Sequence, residues 1–282
     1  MKNFTHEKIS QHVYRIKDQL GVAMYLVEGQ EKCCLLDTGY GLKGLKDYIE
    51  SLCDLPILVL LSHGHIDHAL GAQEFKNVYM SDYDHEVYEA HSQKAYREQF
   101  IKTQFSQFNM DMLQSKKTIN FKQLHDLDCF DLGGITIKAI HVPGHTQGMM
   151  MFLIKEEKMI LFGDGCGPGT ILLEDFSTDI KTYYQSLLKL KKYENEYDII
   201  LRNHGTCESS KDLLDNVIEV CKKVLNHQDE HLLLPAEMMN MFPQKSIYHG
   251  YSAMKTVMGK HGMQREDGKE GNISYREDKN RQ

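Results

Sequence analysis

The stretch PILVLLSHGHIDHALG, residues 56–71, opens as a continuous apolar run and then places His63, His65, Asp67 and His68 within six positions. An unbroken run of this kind reads as a strand buried on both faces, so the cluster stands at a strand end. In extended chain, residues two apart face the same way. His63 and His65 then offer two imidazoles to one ion, with Gly64 letting the backbone come close. His68 breaks that parity, and a turn into helix at Asp67 swings Asp67 and His68 toward a second ion. A tetrahedral ion takes four ligands and a catalytic one keeps a position open. Four donors here therefore suit two metals better than one.

Outward from this cluster, the 282 residues and 41% apolar content give ample material for a core. Forty acidic against 33 basic residues give a formal charge of −7. Without a long basic run, no nucleic-acid partner is expected. The opening MKNFTHEKISQHVYRIKDQLG lacks the apolar region of a secretory signal, and no window approaches a membrane span. The expectation is a cytoplasmic protein with a small-molecule substrate and no membrane partner; oligomeric state is not legible. Seven cysteines, at 33, 34, 53, 129, 166, 207 and 221, form no C-x-x-C pair and read as reduced thiols.

HVYRI, AMYLVEG and KCCLLDTG, separated by polar or glycine-bearing turns, predict an antiparallel strand series, and GLKGLKDYIESLC has helical spacing. From about 81 to 120 the chain is polar with scattered Tyr and Phe, which predicts a helical insertion. GGITIKAIHVPGHTQG returns to alternation, and MMMFLI, a KEEK turn and MILFGDG predict a hairpin ending at Asp164. A helix from about Ser177 to Tyr193, a strand DIILRNHG and a helix carrying Leu213, Leu214, Val217, Ile218, Cys221, Val224 and Leu225 follow. Strands first and helix last, in both halves, predicts an α+β fold, a four-layer αββα sandwich. It reads as one domain over 1–282 with a C-terminal extension from about 228. The charged, glycine-bearing tail after Gly259 reads as surface extension or disorder.

His145 in PGHTQG, Asp164 in FGDG and His204 in RNHG each follow a strand-like run and lie beside glycine. Taken with the first cluster, H-x-H-x-D-H, P-G-H-T-x-G, G-D and N-H-G in this order resemble the metallo-β-lactamase superfamily, over roughly Val13 to Leu225. The resemblance implies that His63, His65 and His145 hold one divalent metal, that Asp67, His68 and His204 hold a second, and that Asp164 bridges them. Zinc is the first expectation for both ions, with iron or manganese as alternatives, since imidazole and carboxylate accept all three. Asp37, in LLDTG, is expected to support the ligands from behind, with Ser62 and Thr146 as lesser candidates.

Aspartate at 164, where true β-lactamases of the superfamily typically carry cysteine, is similar to the glyoxalase II and lactonase-type branch. Lys255, Lys260 and Arg265 match no glutathione-binding pattern, and Gly167 stands where acyl-homoserine lactonases place tyrosine. Two metals sharing a water bring its pKa near neutrality. The expected reaction is hydrolysis, a metal-bridged hydroxide attacking a small thioester, lactone or ester carbonyl, with Asp67 and Asp164 as the catalytic carboxylates. The alternatives are a phosphodiesterase, a mononuclear iron oxygenase similar to persulfide dioxygenases, and a metal-bearing scaffold without turnover. Cys166 and Cys207 follow ligand positions closely but read as packing. His6, His12, His85, His91, His125, His141, His227, His231, His249 and His261 are assigned surface or core roles.

Overall fold

The computed structural model describes residues 3–235, 249–259 and 262–279. The chain is α+β and divides into two compact units, residues 1–140 with 152–158, and residues 141–151 with 159–282.

The first unit is organised by one seven-stranded sheet. Strands β1 (Phe4–Lys8), β2 (Val13–Asp18), β3 (Ala23–Glu28) and β4 (Cys33–Leu36) pair antiparallel in sequence order. Helix α1 (Leu45–Glu50) then carries the chain to β5 (Ile57–Leu60), which pairs parallel with β4. The switch to parallel pairing needs that crossover. It leaves the C-terminal ends of β4 and β5 side by side, so Asp37 and the histidine cluster emerge together. Helix α2 (Ile66–Ala69) follows, then β6 (Val78–Met80), parallel to β5.

Residues 81–120 contain helices α3 (His85–His91) and α4 (Lys94–Gln104), with short 3-10 turns at Asp82–Asp84 and Met110–Met112. Tyr88 and Ile101 belong to the same buried cluster as Ile16, Leu35 and Val59, and Tyr96, Phe100, Phe105 and Phe108 pack against it. Most aromatics of this segment thus pack in or against the core, while Tyr83 is exposed. Strand β7 (Lys122–Gln123) closes the sheet beside β6, and β8 (Cys129–Asp131) pairs antiparallel with β9 (Thr136–His141).

Strand β10 (Met150–Ile154) is buried along its whole length, as its apolar run requires. In the second unit β11 (Met159–Leu161) leads to β12 (Thr170–Leu172) and then to α5 (Ile180–Leu190), capped by the Asp179 carboxylate, which accepts the Thr182 N–H at 2.6 Å. Strand β13 (Ile199–Leu201) lies parallel to β11, with the short β14 (Glu208–Ser209) antiparallel on its other side. Helix α6 (Leu213–Leu225) buries Leu213, Leu214, Val217, Ile218, Cys221 and Val224 of the face its spacing predicts, while Leu225, the last residue of that face, is exposed at the helix end.

Two expectations are corrected here. Strands β15 (Leu232–Leu233), β16 (Gly250–Ser252) and the hairpin β17 (Thr256–Gly259) with β18 (Gly262–Arg265) precede β19 (Ile273–Arg276), which is buried throughout. Parallel pairing of β19 to β12 and antiparallel pairing to β16 make the tail an interior strand of a four-stranded sheet. Only four residues carry that role, too few to outweigh the charged flanks in a composition reading. Cys33 and Cys53 also lie with their sulfurs in bonding contact, as a disulfide, and the other five cysteines are thiols. No short motif announces the pair, because the crossover through α1 brings them together.

Candidate metal centre

In the first unit the ligand loop is made by an abrupt change of backbone state. His65 is extended, at φ −69° and ψ 158°, and serves as the N-cap of α2, its carbonyl accepting from His68 and Ala69 N–H at 3.1 and 3.0 Å. Extended chain up to His65 puts the rings of His63 and His65 4.7 Å apart, and the helical turn brings the His68 ring to 4.1 Å from that of His63. Asp67 Oδ2 lies 3.6 Å from His68 Nε2. All four predicted ligands of this loop are thus brought together, with helix starting one residue earlier than expected. Gly64 is required by a close approach, though to protein: an added Cβ would sit 2.6 Å from the Asp84 carbonyl oxygen.

Asp37 stands behind this loop, fully buried, at φ +61°. A left-handed backbone is tolerated by Asp better than by most residues, and such positions cluster at functional sites. Its carboxylate accepts from Ser62 N–H at 2.7 Å, from the Ser62 hydroxyl at 2.8 Å and from His68 Nδ1 at 3.0 Å. A serine hydroxyl has one proton. With that proton directed to Asp37, Ser62 Oγ is the acceptor for His63 Nδ1, 3.0 Å away. Both imidazoles therefore carry their proton on Nδ1 and present Nε2, the tautomer that this network assigns.

The second unit gathers its donors from three separate strand ends. The loop after β9 is closed by Val142 N–H to Met149 C=O at 2.8 Å and Gly144 N–H to Thr146 C=O at 3.0 Å. His145 Nδ1 donates to the Ile171 carbonyl at 2.7 Å, which again leaves Nε2 as the presented nitrogen. Asp164 follows β11 at a turn with Gly163 at φ +56°. His204 follows β13 in a turn closed by Cys207 N–H to the His204 carbonyl at 3.1 Å.

Asp164 lies between the two histidines, with Oδ2 at 3.8 Å from His145 Nε2 and Oδ1 at 3.5 Å from His204 Nε2. These separations exceed the about 2.7–3.2 Å of N–H···O bonds. Two ligands held at about 2.0–2.1 Å by one tetrahedral ion sit roughly 3.3 Å apart. The two separations are near that value, with one oxygen toward each imidazole. The chain carries His/Asp clusters capable of binding a divalent metal, and the fixed tautomers and the imidazole and carboxylate donors fit zinc, iron or manganese.

Cys166 is fully buried beside Tyr183, and burial pushes its thiol up to about 12, which leaves no thiolate at neutral pH. Cys207 is buried in the His204 turn at φ +64°. Met149 is buried, and its side chain lies against Gly165. Arg265 is buried, donating to the Gly271 carbonyl and pairing with Asp267, and Lys255 pairs with Glu266. Arg265 is thus taken up by structural contacts, while the Lys255 pair lies at the surface; Lys260 and His261 lie outside the described residues. One residue escaped the spacing argument: His91, at the end of α3, stacks on His65. A single histidine in a polar helix offers no periodic signal.

The family model described as the metallo-beta-lactamase superfamily matches residues 18–201, and the chain belongs to that superfamily. The chain falls with the superfamily's metal-dependent hydrolases, and relatives are named as hydrolase and thioesterase. The lactamase-like protein ptaB of Pestalotiopsis fici is 30% identical over 62% of this chain, a match spanning 52% of that protein. Hydroxyacylglutathione hydrolase GloC of Haemophilus influenzae is 27% identical, over 64% of this chain and 82% of GloC. The human acyl-coenzyme A thioesterase MBLAC2 is 23% identical, over 75% of this chain and 77% of MBLAC2. Among solved structures, the sec-alkylsulfatase Pisa1 from Pseudomonas sp. aligns with a TM-score of 0.61 at 15% identity, over 83% of this chain and 43% of that one, a likeness of fold. Among the described residues no helix is long and apolar enough to cross a membrane.

Proposed function

We propose that the chain is a dinuclear metal hydrolase of small thioesters, with lactones and simple esters as neighbouring substrates. His63, His65 and His145 would hold one ion, Asp67, His68 and His204 the other, and Asp164 both, within one catalytic domain; zinc is the proposed metal. The observation that carries this reading is the Asp164 carboxylate, which directs one oxygen toward each of two imidazoles at ligand spacing. Thioester is placed first because GloC and MBLAC2 are named for thioester substrates.

When bound, a pair of divalent ions lowers the pKa of a shared water toward neutrality and polarises the scissile carbonyl. The chain's own contribution is orientation and proton handling. Asp37 and Ser62 hold the imidazoles of His68 and His63 by their outer nitrogens, and the Ile171 carbonyl does so for His145. Such partners fix ring orientation and raise ligand basicity. The Asp67 and Asp164 side chains keep 16% and 23% of their surface open, whereas Asp37 is sealed. Proton exchange with substrate and leaving group therefore falls to Asp67 and Asp164.

Elemental analysis of purified protein, with rates on p-nitrophenyl thioester, lactone and bis-phosphate substrates before and after chelation, tests this reading. Two ions per chain with thioester turnover lost on chelation is the expected result. One ion per chain with oxygen uptake on a persulfide supports the oxygenase instead, and two ions without turnover support a scaffold.

A further inference from the structure

The helical segment after β6 grips the ligand loop at both ends. At its start, the Asp84 carboxylate accepts the Gly64 N–H at 2.9 Å, and the Asp84 carbonyl and Tyr88 N–H lie so close to Gly64 that any Cβ there would collide. At its far end, His91 Nδ1 accepts the Ile66 N–H at 3.3 Å. Ile66 is the first residue of α2, so its amide is one of the N–H groups that a helix start leaves without an intrahelical acceptor. A side-chain acceptor there fixes where the chain passes from extended to helical. That passage sends His65 one way and Asp67 and His68 another.

The same imidazole also sets a ring plane. His91 is 4% exposed and stacks on His65 at 4.7 Å between centroids, with 21° between planes. Its other face stacks on Tyr96 of α4 at 4.3 Å and 20°, and Tyr96 in turn lies nearly parallel to Phe100, 6.2 Å away. Tyr96 and Phe100 pack against the core of the first unit. His65 is thus one end of an aromatic stack whose other end, half-buried, packs against the hydrophobic core of the first unit.

We infer that His91 is a positioning residue for the metal loop, setting the His65 ring plane by stacking and the start of α2 by accepting the Ile66 amide. The inference rests on the metal-centre reading above and assigns the insertion a task beyond core packing: it determines how tightly the loop holds its ions.

The test is cobalt(II) titration of metal-stripped full-length protein, read by the visible absorption of the bound ion. His91→Ala is expected to weaken cobalt uptake by about 10-fold or more, the scale seen when an outer partner of a metal ligand is lost, and to alter the absorption band, while the metal-free protein still unfolds cooperatively at a lowered melting temperature. His91→Asn, whose side-chain oxygen occupies the place of Nδ1, is expected to recover part of the affinity. Wild-type uptake and spectrum in His91→Ala, or no recovery in His91→Asn, overturns the inference and leaves the two-ion reading in place. Wild-type protein that binds no cobalt overturns both. Should His91→Ala fail to fold, His91→Phe keeps the stack and removes the acceptor; weakened binding then supports the inference and an unchanged titration overturns it.

Discussion

The two units supply donors in contrasting ways. In the first, four donors come from six consecutive residues, His63 and His68 are fully buried, and a single carboxylate, Asp37, ties the loop to the end of the neighbouring strand. In the second, three donors come from turns at 145, 164 and 204, and the His204 and Asp164 side chains keep 40% and 23% of their surface open. The first set is prepared by local chain geometry and by long-range contacts from Asp37, Asp84 and His91. The second depends on where three separate strands end. The contiguous loop is thus nearly sealed, with only Asp67 partly open, whereas two of the three scattered donors, Asp164 and His204, are partly exposed and the third, His145, is buried.

Substitutions can break or sharpen this contrast. The largest effect is expected from Asp164→Ala, which removes the one group common to both histidines of the second unit. Thioester turnover should fall by more than the roughly 100-fold upper range for losing an outer partner, with fewer than two ions per chain by elemental analysis. Retention of both ions and of activity would falsify the bridging role.

Asp37→Asn probes the first unit. It keeps a side chain tolerant of the left-handed backbone but cannot accept from Ser62 N–H, Ser62 Oγ and His68 Nδ1 as an ionised carboxylate does. Metal affinity should drop by about 10–100-fold, measured by competition with a chromogenic chelator; an unchanged affinity removes Asp37 from the site.

Asp18, at the end of β2, is a buried carboxyl in the same unit and separates general stability from metal binding. Burial pushes its pKa from 3.8 up to about 6, against the lowering effect of backbone N–H groups including those of Val22 and Leu20. The folded state thus binds the proton more tightly than the unfolded one. Its contribution to stability is full below about pH 4, declines as pH rises through 6, and is absent above. Asp18→Asn should raise stability at pH 7 by on the order of 2 kcal/mol and leave it nearly unchanged at pH 4, with metal affinity unaltered, as read by urea unfolding at both pH values. A gain that is the same at both pH values would contradict a buried titrating carboxyl.

The smallest effect is expected for Ser62→Ala. It deletes one hydroxyl between Asp37 and His63, costs about 1 kcal/mol of stability and weakens metal binding by only a few-fold, because the Ser62 N–H to Asp37 bond survives. A loss as large as that of Asp37→Asn would mean that the His63 tautomer, more than the loop position, controls affinity.

Much of this contrast could be read before any coordinates. The apolar run at 57–60, followed by its histidines, specified a buried strand with metal-binding residue types at its end, and the 3.6-residue spacing of Leu213 through Val224 specified α6 with its buried face, Leu225 excepted. Asp37 was legible through its place at a strand end and its motif. Less visible was Ser62, whose role depends on one proton shared among three groups. The buried β19 and the Cys33–Cys53 pair were misread, since four-residue strands and distant pairings leave no periodic trace.

By itself the sequence determined much of the local structure: which of the longer apolar runs are strands, that a helix follows the histidine cluster, which residue types can bind a cation and the family they resemble. Tertiary structure alone decided which nitrogen each imidazole presents, that Arg265 is a structural ion pair, and that a histidine from the insertion stacks on His65. The division has a physical cause. Periodicity and motif spacing report interactions between residues close along the chain, whereas tautomers, stacking and second partners are set by groups that only folding brings within a few ångströms.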